Sequence, residues 1–205
     1  EDHAKEKGHE DHDACCEDHA KEEGHEHHHH HGGLDPHIWT SPSLAKREME
    51  NIMKGLCEKD PENADYYKSN YKKYSEEFDK LDKEFKTEIE KLPNRDIVVS
   101  HEAFGYLAKD YGLNQIGIEG LIPESEPTPQ KMAEIIDFVK DNNVKVIFFE
   151  TTSGSKVADS IGKATGAKPM VLNTLESLTK EEVESGDDYF SVMRKNLEAI
   201  KEALK

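Results

Sequence analysis

The chain has 205 residues and a formal net charge of −17 at pH 7, long enough for one or two ordinary domains with a real hydrophobic core. So acidic a balance argues against nucleic acid and anionic membrane surfaces as partners, since both attract clustered Lys and Arg, and is compatible with cations as ligands. No run of about 18 apolar residues occurs, so no segment reads as a membrane-spanning helix.

Residues 1–33 offer almost nothing to a core. They hold 10 of the 12 histidines, with 3 lysines against 11 acids. EDHAKEKGHEDHDACC is followed by EDHAKEEGHEHHHHH, an internal repeat of 16 residues that sets His3 over His19 and His9 over His25. Without apolar periodicity such a tract cannot offset the entropy of ordering, and its composition predicts a disordered, metal-binding segment. The run His27 to His31 has a second reading, a purification tag, although the repeat before it reads as genomic and no vector linker follows. The sequence opens on Glu1 inside this tract with no Met, basic region or apolar region, so no export signal can be read and upstream residues are expected. Cys15, Cys16 and Cys57 are odd in number and lack CxxC spacing, which supports neither a disulfide framework nor a zinc knuckle.

After Gly32 and Gly33, Leu34 to Trp39 is short and apolar, and Ser41-Pro42 opens a helix that reaches about Glu58, with Ser41 as N-cap. Asp60-Pro61 starts another in the same way. Its apolar positions, Tyr67, Tyr71, Tyr74, Phe78, Leu81, Phe85 and Ile89, step by three or four and predict one buried stripe as far as Leu92. At 1.5 Å per residue this helix spans roughly 45 Å, enough to cross between two lobes. Alternation then sets in: strand Ile97 to Ser100, helix Ala103 to Tyr111, strand Gln115 to Gly117, helix Pro129 to Asn142 with Thr128 as N-cap, and strand Val144 to Phe149. A helix from Ser155 to Thr165, a strand from Pro169 to Leu172 and a closing helix from Asp187 to Ala203 complete it. Continuous apolar strands alternating with helices predict the α/β class, with a parallel sheet flanked by helices and ligands beyond the carboxyl ends of the strands.

Three residues carry the chemistry. His37, in DPHIW, follows a restricting proline and lies beside Trp39; a structural histidine bonded to backbone has the same pattern. His101, in IVVSHEAF, falls just after a strand at the sheet edge where sites form; capping a helix or strand end is its alternative role. Glu176 lies past the last strand, at the same edge, with Glu150 at the end of VKVIFFE as its competitor; Glu102 reads as solvated or outside the ligand set. Two imidazoles and a carboxylate suit tetrahedral Zn²⁺, whereas Mn²⁺ prefers more oxygen donors and is the lesser candidate.

DPHIWTSP, the long helix, IVVSHEAFGYLAKDYGL, EPTPQKMAEIIDFVKDNNVKVIFFE and SGDDYFSVMRKNLEAI together resemble the cluster A-I zinc/manganese solute-binding proteins of bacterial ABC importers. The resemblance runs from Leu34 to Lys205. It implies a division into a His-rich loop (1–33), the remainder of a first lobe (34–60), a long interlobe helix (61–92) and a second α/β lobe (93–205). It also implies an interlobe metal held by His37, His101 and Glu176. Zinc members of that family carry SHEAF where manganese members place a carboxylate, in agreement with His101. The family's first ligand, a histidine upstream of the His-rich loop, has no counterpart here, so a fourth ligand is expected from preceding sequence, from the loop or from water; Cys57 likewise lacks the partner that some zinc members provide.

The function so implied is an extracytoplasmic receptor, periplasmic or lipid-anchored, that captures Zn²⁺ and delivers it to the membrane permease of an ABC importer as a monomer. Flexible imidazoles in residues 1–33 would provide many weak sites beside the tight one. A zinc hydrolase is the alternative, but the sequence has no HExxH. A metal store or adhesin acting through the tract alone is the other.

Overall fold

The apolar strands assemble into a four-stranded sheet of order β2-β1-β3-β4 in which all neighbours are parallel. The computed structural model describes residues 34–120, 128–150 and 156–205. Its strands are β1 (Asp96–Val99), β2 (Asn114–Gly117), β3 (Val146–Phe149) and β4 (Lys168–Val171). Its helices are α1 (Pro42–Lys59), α2 (Ala64–Glu90), α3 (Gly105–Tyr111), α4 (Pro129–Asp141), α5 (Lys156–Thr165), α6 (Lys180–Glu184) and α7 (Tyr189–Leu204). The expectations for residues 1–33 and for a helix start at Ser155 lie outside the described residues. None of the described helices is long and apolar enough to cross a membrane.

Alternation along the strands splits the core in two. Ile97, Val99 and Phe148 join Leu81, Phe85 and Ile89 of α2, Leu107 of α3, and Met193 and Ile200 of α7 on one face. Val98 and Ile147 join Ile135 and Val139 of α4 and Ile161 of α5 on the other. Both faces are thus covered, as a parallel sheet requires. In this strand order the connection from β1 leads outward to β2, and the chain then crosses back to β3 on the opposite side of β1. The crevice above the carboxyl ends of β1 and β3 is therefore a topological switch point, the position where such sheets bind ligands.

Several local expectations are corrected. Ser41 occupies the N-cap position of α1, but its hydroxyl donates to Asp110 Oδ2 at 2.5 Å and caps nothing. The second helix begins as a 3-10 turn, Pro61–Asn63, with α2 starting at Ala64. Asp60 does not cap it; its carboxylate accepts from the Asn63 amide (2.8 Å) and the Tyr67 hydroxyl (2.7 Å), and these bonds hold its pKa below the ordinary value. The stripe on α2 is buried only at Phe78, Leu81, Phe85 and Ile89, while Tyr67 and Tyr71 are half-buried and Tyr74 is exposed. The Lys46–Asp79 ion pair shows why: α1 begins opposite residue 79, so the earlier part of α2 runs beside α1, and only its later part lies over the sheet. β3 begins two residues later than Val144, because the Val144 N–H donates to the Val139 carbonyl (2.9 Å) in the turn that ends α4, with Asn143 at φ 52°. Asn is among the few residues that accept this left-handed conformation without large cost. The short helix α6 is unanticipated, although its capping box, Thr179 with Glu182, stands in the sequence.

Candidate metal centre

His37 is presented by a segment pinned from several sides. Asp35 Oδ1 accepts from the His37 backbone N–H (2.9 Å) and lies 2.7 Å from the ring Nδ1. A 3-10 turn, Ile38–Thr40, follows, and the Thr40 hydroxyl donates to the His37 carbonyl (2.9 Å) and to the Ala103 carbonyl beyond β1 (3.1 Å). The Trp39 indole N–H donates to the Thr174 carbonyl at 2.8 Å, while the Tyr106 hydroxyl donates to the Asp35 carbonyl at 3.2 Å. Gly105 allows Asp35 its place, since a Cβ there would sit 3.0 Å from Asp35 Oδ2. The outcome is a ring only 3% exposed at the carboxyl edge of the sheet.

His101 leaves β1 at the switch point and is 4% exposed. Its Nδ1 lies 2.5 Å from Glu150 Oε1, and Glu150 leaves the neighbouring strand β3 and is itself 6% exposed. The Ser100 N–H donates to the Phe148 carbonyl at 2.8 Å, so the ladder continues up to the pair and sets its register. The His37 and His101 rings meet edge to face, with centroids 4.8 Å apart and planes at 81°.

Glu176 is delivered by the loop after β4. The Leu172 N–H still bonds Phe149 (2.9 Å), and the chain is then fixed by buried Asn196 of α7, which accepts from the Asn173 N–H (2.9 Å) and donates to the Asn173 carbonyl (2.8 Å). The Asn173 side chain accepts from the Leu175 N–H (2.7 Å) and donates to Glu182 Oε1 (3.1 Å). These bonds hold Leu175 at φ 60°, a left-handed conformation that costs a branched side chain on the order of 1 to 2 kcal/mol. The turn carries Glu176 Oε1 to 3.1 Å from His37 Nε2.

Atoms of His37, His101 and Glu176 that could bind a metal therefore all lie within 4.8 Å of one another. Tetrahedral zinc with bonds of about 2.1 Å keeps its ligand atoms about 3.4 Å apart, so even the widest of these separations needs to close by little more than an ångström. The two histidines are buried, whereas the Glu176 side chain is 43% exposed and opens the cluster to solvent. Glu150, the competing carboxylate, is placed against the Nδ1 of His101, and Glu102 is half-buried with its side chain folded over Gly117, where a Cβ would come within 2.1 Å of Glu102 Cγ. Sequence reasoning passed over Asp35, Asn173 and Asn196; only Asp35, two residues before His37, carries a local signal. Cys57 is a free thiol on α1, with Sγ 3.7 Å from Met53 Sδ.

A family model described as "Zinc-uptake complex component A periplasmic" (ZnuA) matches residues 2–203. The chain belongs to this ZnuA family of zinc-uptake components. It is 45% identical over 171 residues to the "High-affinity zinc uptake system protein ZnuA" of Bacillus subtilis (strain 168), which covers 83% of this chain and 54% of that protein. It thus spans about half the length of this curated relative. Among solved structures it is similar to the laminin-binding protein (Lmb) of Streptococcus agalactiae, described as a bifunctional protein with adhesin and metal-transporting activity, with TM-score 0.77 and 42% identity over 83% of this chain and 64% of the other. It is also similar to the Zn(II)-bound ZnuA-like domain of Streptococcus pneumoniae AdcA, with TM-score 0.73 and 38% identity over 83% and 64% of the two chains.

Proposed function

We propose that this chain is part of an extracytoplasmic receptor that captures Zn²⁺ and hands it to an ABC importer, and that His37, His101 and Glu176 are its ligands for the ion. One observation carries the reading: three residues separated by 64 and 75 positions in sequence bring ligand atoms within 4.8 Å at the switch point of the sheet. Two nitrogens and one oxygen form the donor set of zinc sites that keep a further position for water or another ligand. Manganese would favour more oxygens. With the Nδ1 atoms of His37 and His101 facing Asp35 and Glu150, the Nε2 atoms are the nitrogens a metal would use.

Family membership and the relatives' names support zinc as the cargo, and the family description supports a periplasmic location. We read the site as a carrier's and not an enzyme's, because the family is one of zinc-uptake components, whose cargo is held and released with no covalent bond made or broken. Within the same reading, residues 34–60 end a first lobe, 61–92 form the helix between lobes and 93–205 the second lobe. The His-rich tract 1–33 then supplies weak, exchangeable sites in addition to the tight one.

The test is titration of the 205-residue chain with Zn²⁺ against a competing chelator. The expected result is one tight site above a background of weak ones. His37→Ala, His101→Ala and Glu176→Ala should each lower the tight affinity at least tenfold without unfolding the chain. A tight site that survives all three substitutions would refute the assignment.

A further inference from the structure

Two carboxylates that the zinc reading leaves outside the ligand set stand in matching positions. Asp35 Oδ1 is 2.7 Å from Nδ1 of His37, and Glu150 Oε1 is 2.5 Å from Nδ1 of His101. In both cases this carboxylate engages Nδ1; the Nε2 of His37 also faces Glu176 Oε1, at the longer distance of 3.1 Å. An ionised carboxylate only accepts hydrogen bonds, so the proton of a neutral ring in such a contact sits on Nδ1 and the lone pair on Nε2. His101 is thereby set in the one tautomer that can bind metal through Nε2, and His37, which lies between two carboxylates, is drawn to the same tautomer by the shorter of its contacts, 2.7 Å at Nδ1 against 3.1 Å at Nε2.

The geometry points to Asp35 and Glu150 as positioning residues for zinc, a step that rests on His37 and His101 being ligands. Each fixes the direction of its histidine before the ion arrives and favours the tautomer whose Nε2 lone pair faces the site. The two differ in how they are held. Glu150 is buried and emerges from β3, the strand hydrogen-bonded to β1, from which His101 emerges, so sheet register sets their contact. Asp35 binds the backbone N–H and the ring of His37 with the same oxygen, is itself held through its carbonyl by Tyr106, and lies over Gly105. A preorganised pair of rings loses less entropy when the ion binds, and partners of this kind are typically worth about 10- to 100-fold in metal affinity.

The experiment uses the full chain, with Zn²⁺ measured by competition against a chelating dye, and long-range ¹⁵N–¹H NMR of the imidazoles in zinc-free protein. The expected spectrum places the protons of His37 and His101 on Nδ1. Glu150→Gln keeps an acceptor but removes the charge, whereas Glu150→Ala removes both. Zinc affinity should fall in that order, by roughly 10-fold and then up to 100-fold, with mixed tautomers at His101 in the alanine variant. Asp35→Asn should fall by a similar factor, with the effect confined to the His37 signals. Protons on Nε2 in the parent, or parental affinity in Glu150→Gln and Asp35→Asn, would overturn the inference. If Glu150→Ala does not fold, the near-isosteric glutamine variant and the parent spectrum still decide. Loss of the tight site in neither His37→Ala nor His101→Ala would instead remove the ligand assignment, an outcome separable from the tautomer result.

Discussion

Tyr189, the first residue of α7, donates its hydroxyl to the carbonyl of Trp39 at 2.8 Å. The Trp39 indole donates in turn to Thr174, so the segment bearing His37 and the loop bearing Glu176 are tied to each other and to α7. Burial, with a smaller effect from Glu48, pushes the Tyr189 phenol far above its ordinary range, so it remains a donor at every pH at which the protein is studied. Tyr189→Phe removes this bond while keeping the ring that packs against Phe78 and Phe190. The expected loss of stability is about 1 kcal/mol by urea unfolding, with a modest fall in zinc affinity, because the first lost contact is one that places His37.

The two buried faces of the sheet depend on side chains that the sequence pattern marks clearly. Phe85, on α2, is wholly buried in the core cluster it shares with Ile97 and Val99 of β1, and its ring centroid lies 5.1 Å from that of Tyr111. Phe85→Ala should cost about 3 to 5 kcal/mol by urea unfolding, since it removes a large transfer energy and leaves a cavity that a packed sheet cannot close. A loss under 1 kcal/mol would show that α2 is not fastened to the sheet at this point.

Helix and strand order, the parallel sheet and its covered faces were legible because they follow from periodicity, which is local. The limits of α2's stripe were not, because Tyr67, Tyr71 and Tyr74 have the same spacing as Phe78 and Phe85, and only the placement of α1 separates them. Helix α6 was passed over because five residues without a repeating apolar face leave only a capping box as signal. At the site, His101 could be placed at the sheet edge from its strand, but the partnership of Glu150 with its Nδ1 depends on the pairing of β1 with β3, which strand order alone decides. Asn196 is less legible still. It lies in the apolar face of α7 as an apparent misfit, and its reason is the Asn173 backbone it binds across 23 residues of sequence.

Gly105→Ala tests the packing beneath His37. The new methyl would lie 3.0 Å from Asp35 Oδ2, tight enough to displace a carboxylate that has room to turn outward. Gly105 is the first residue of α3, where exchanging glycine for alanine gains less than the roughly 1 kcal/mol of an interior position, so stability should change little or rise slightly. Zinc affinity should nevertheless drop, several-fold, because Asp35 is moved from the His37 ring. Unchanged affinity alongside raised stability would show that the position of Asp35 is of no consequence to the ion.

Zinc binding should weaken steadily as pH falls from 7 towards 5. Protons and metal compete for the same imidazole nitrogens, so each coordinating histidine that would otherwise be protonated adds up to one power of ten per pH unit to the apparent dissociation constant. Chelator competition at several pH values gives the slope directly. A flat profile across that range would mean that carboxylates and water, not His37 and His101, are the principal donors.

Selectivity gives the sharpest test, because the residue beside His101 changes what a substitution there can do. Replacing His101 by Asp would exchange a nitrogen donor for oxygens that can raise the coordination number, and should narrow the gap between zinc and manganese. The new carboxylate would, however, stand close to Glu150, which is 6% exposed. Two buried like charges at such a distance repel strongly, and one of them would have to take up a proton or turn away. His101→Asp alone should therefore lose zinc affinity and stability together, whereas His101→Asp with Glu150→Gln should recover much of the stability and reveal the altered preference. Zinc should still bind more tightly than manganese in absolute terms, following the Irving–Williams order, so the quantity to compare is the ratio of the two dissociation constants in the double variant and in Glu150→Gln alone. A smaller zinc preference in the double variant is the expected outcome; an unchanged ratio would place residue 101 outside the ion's ligands and leave its contact with Glu150 as a structural one.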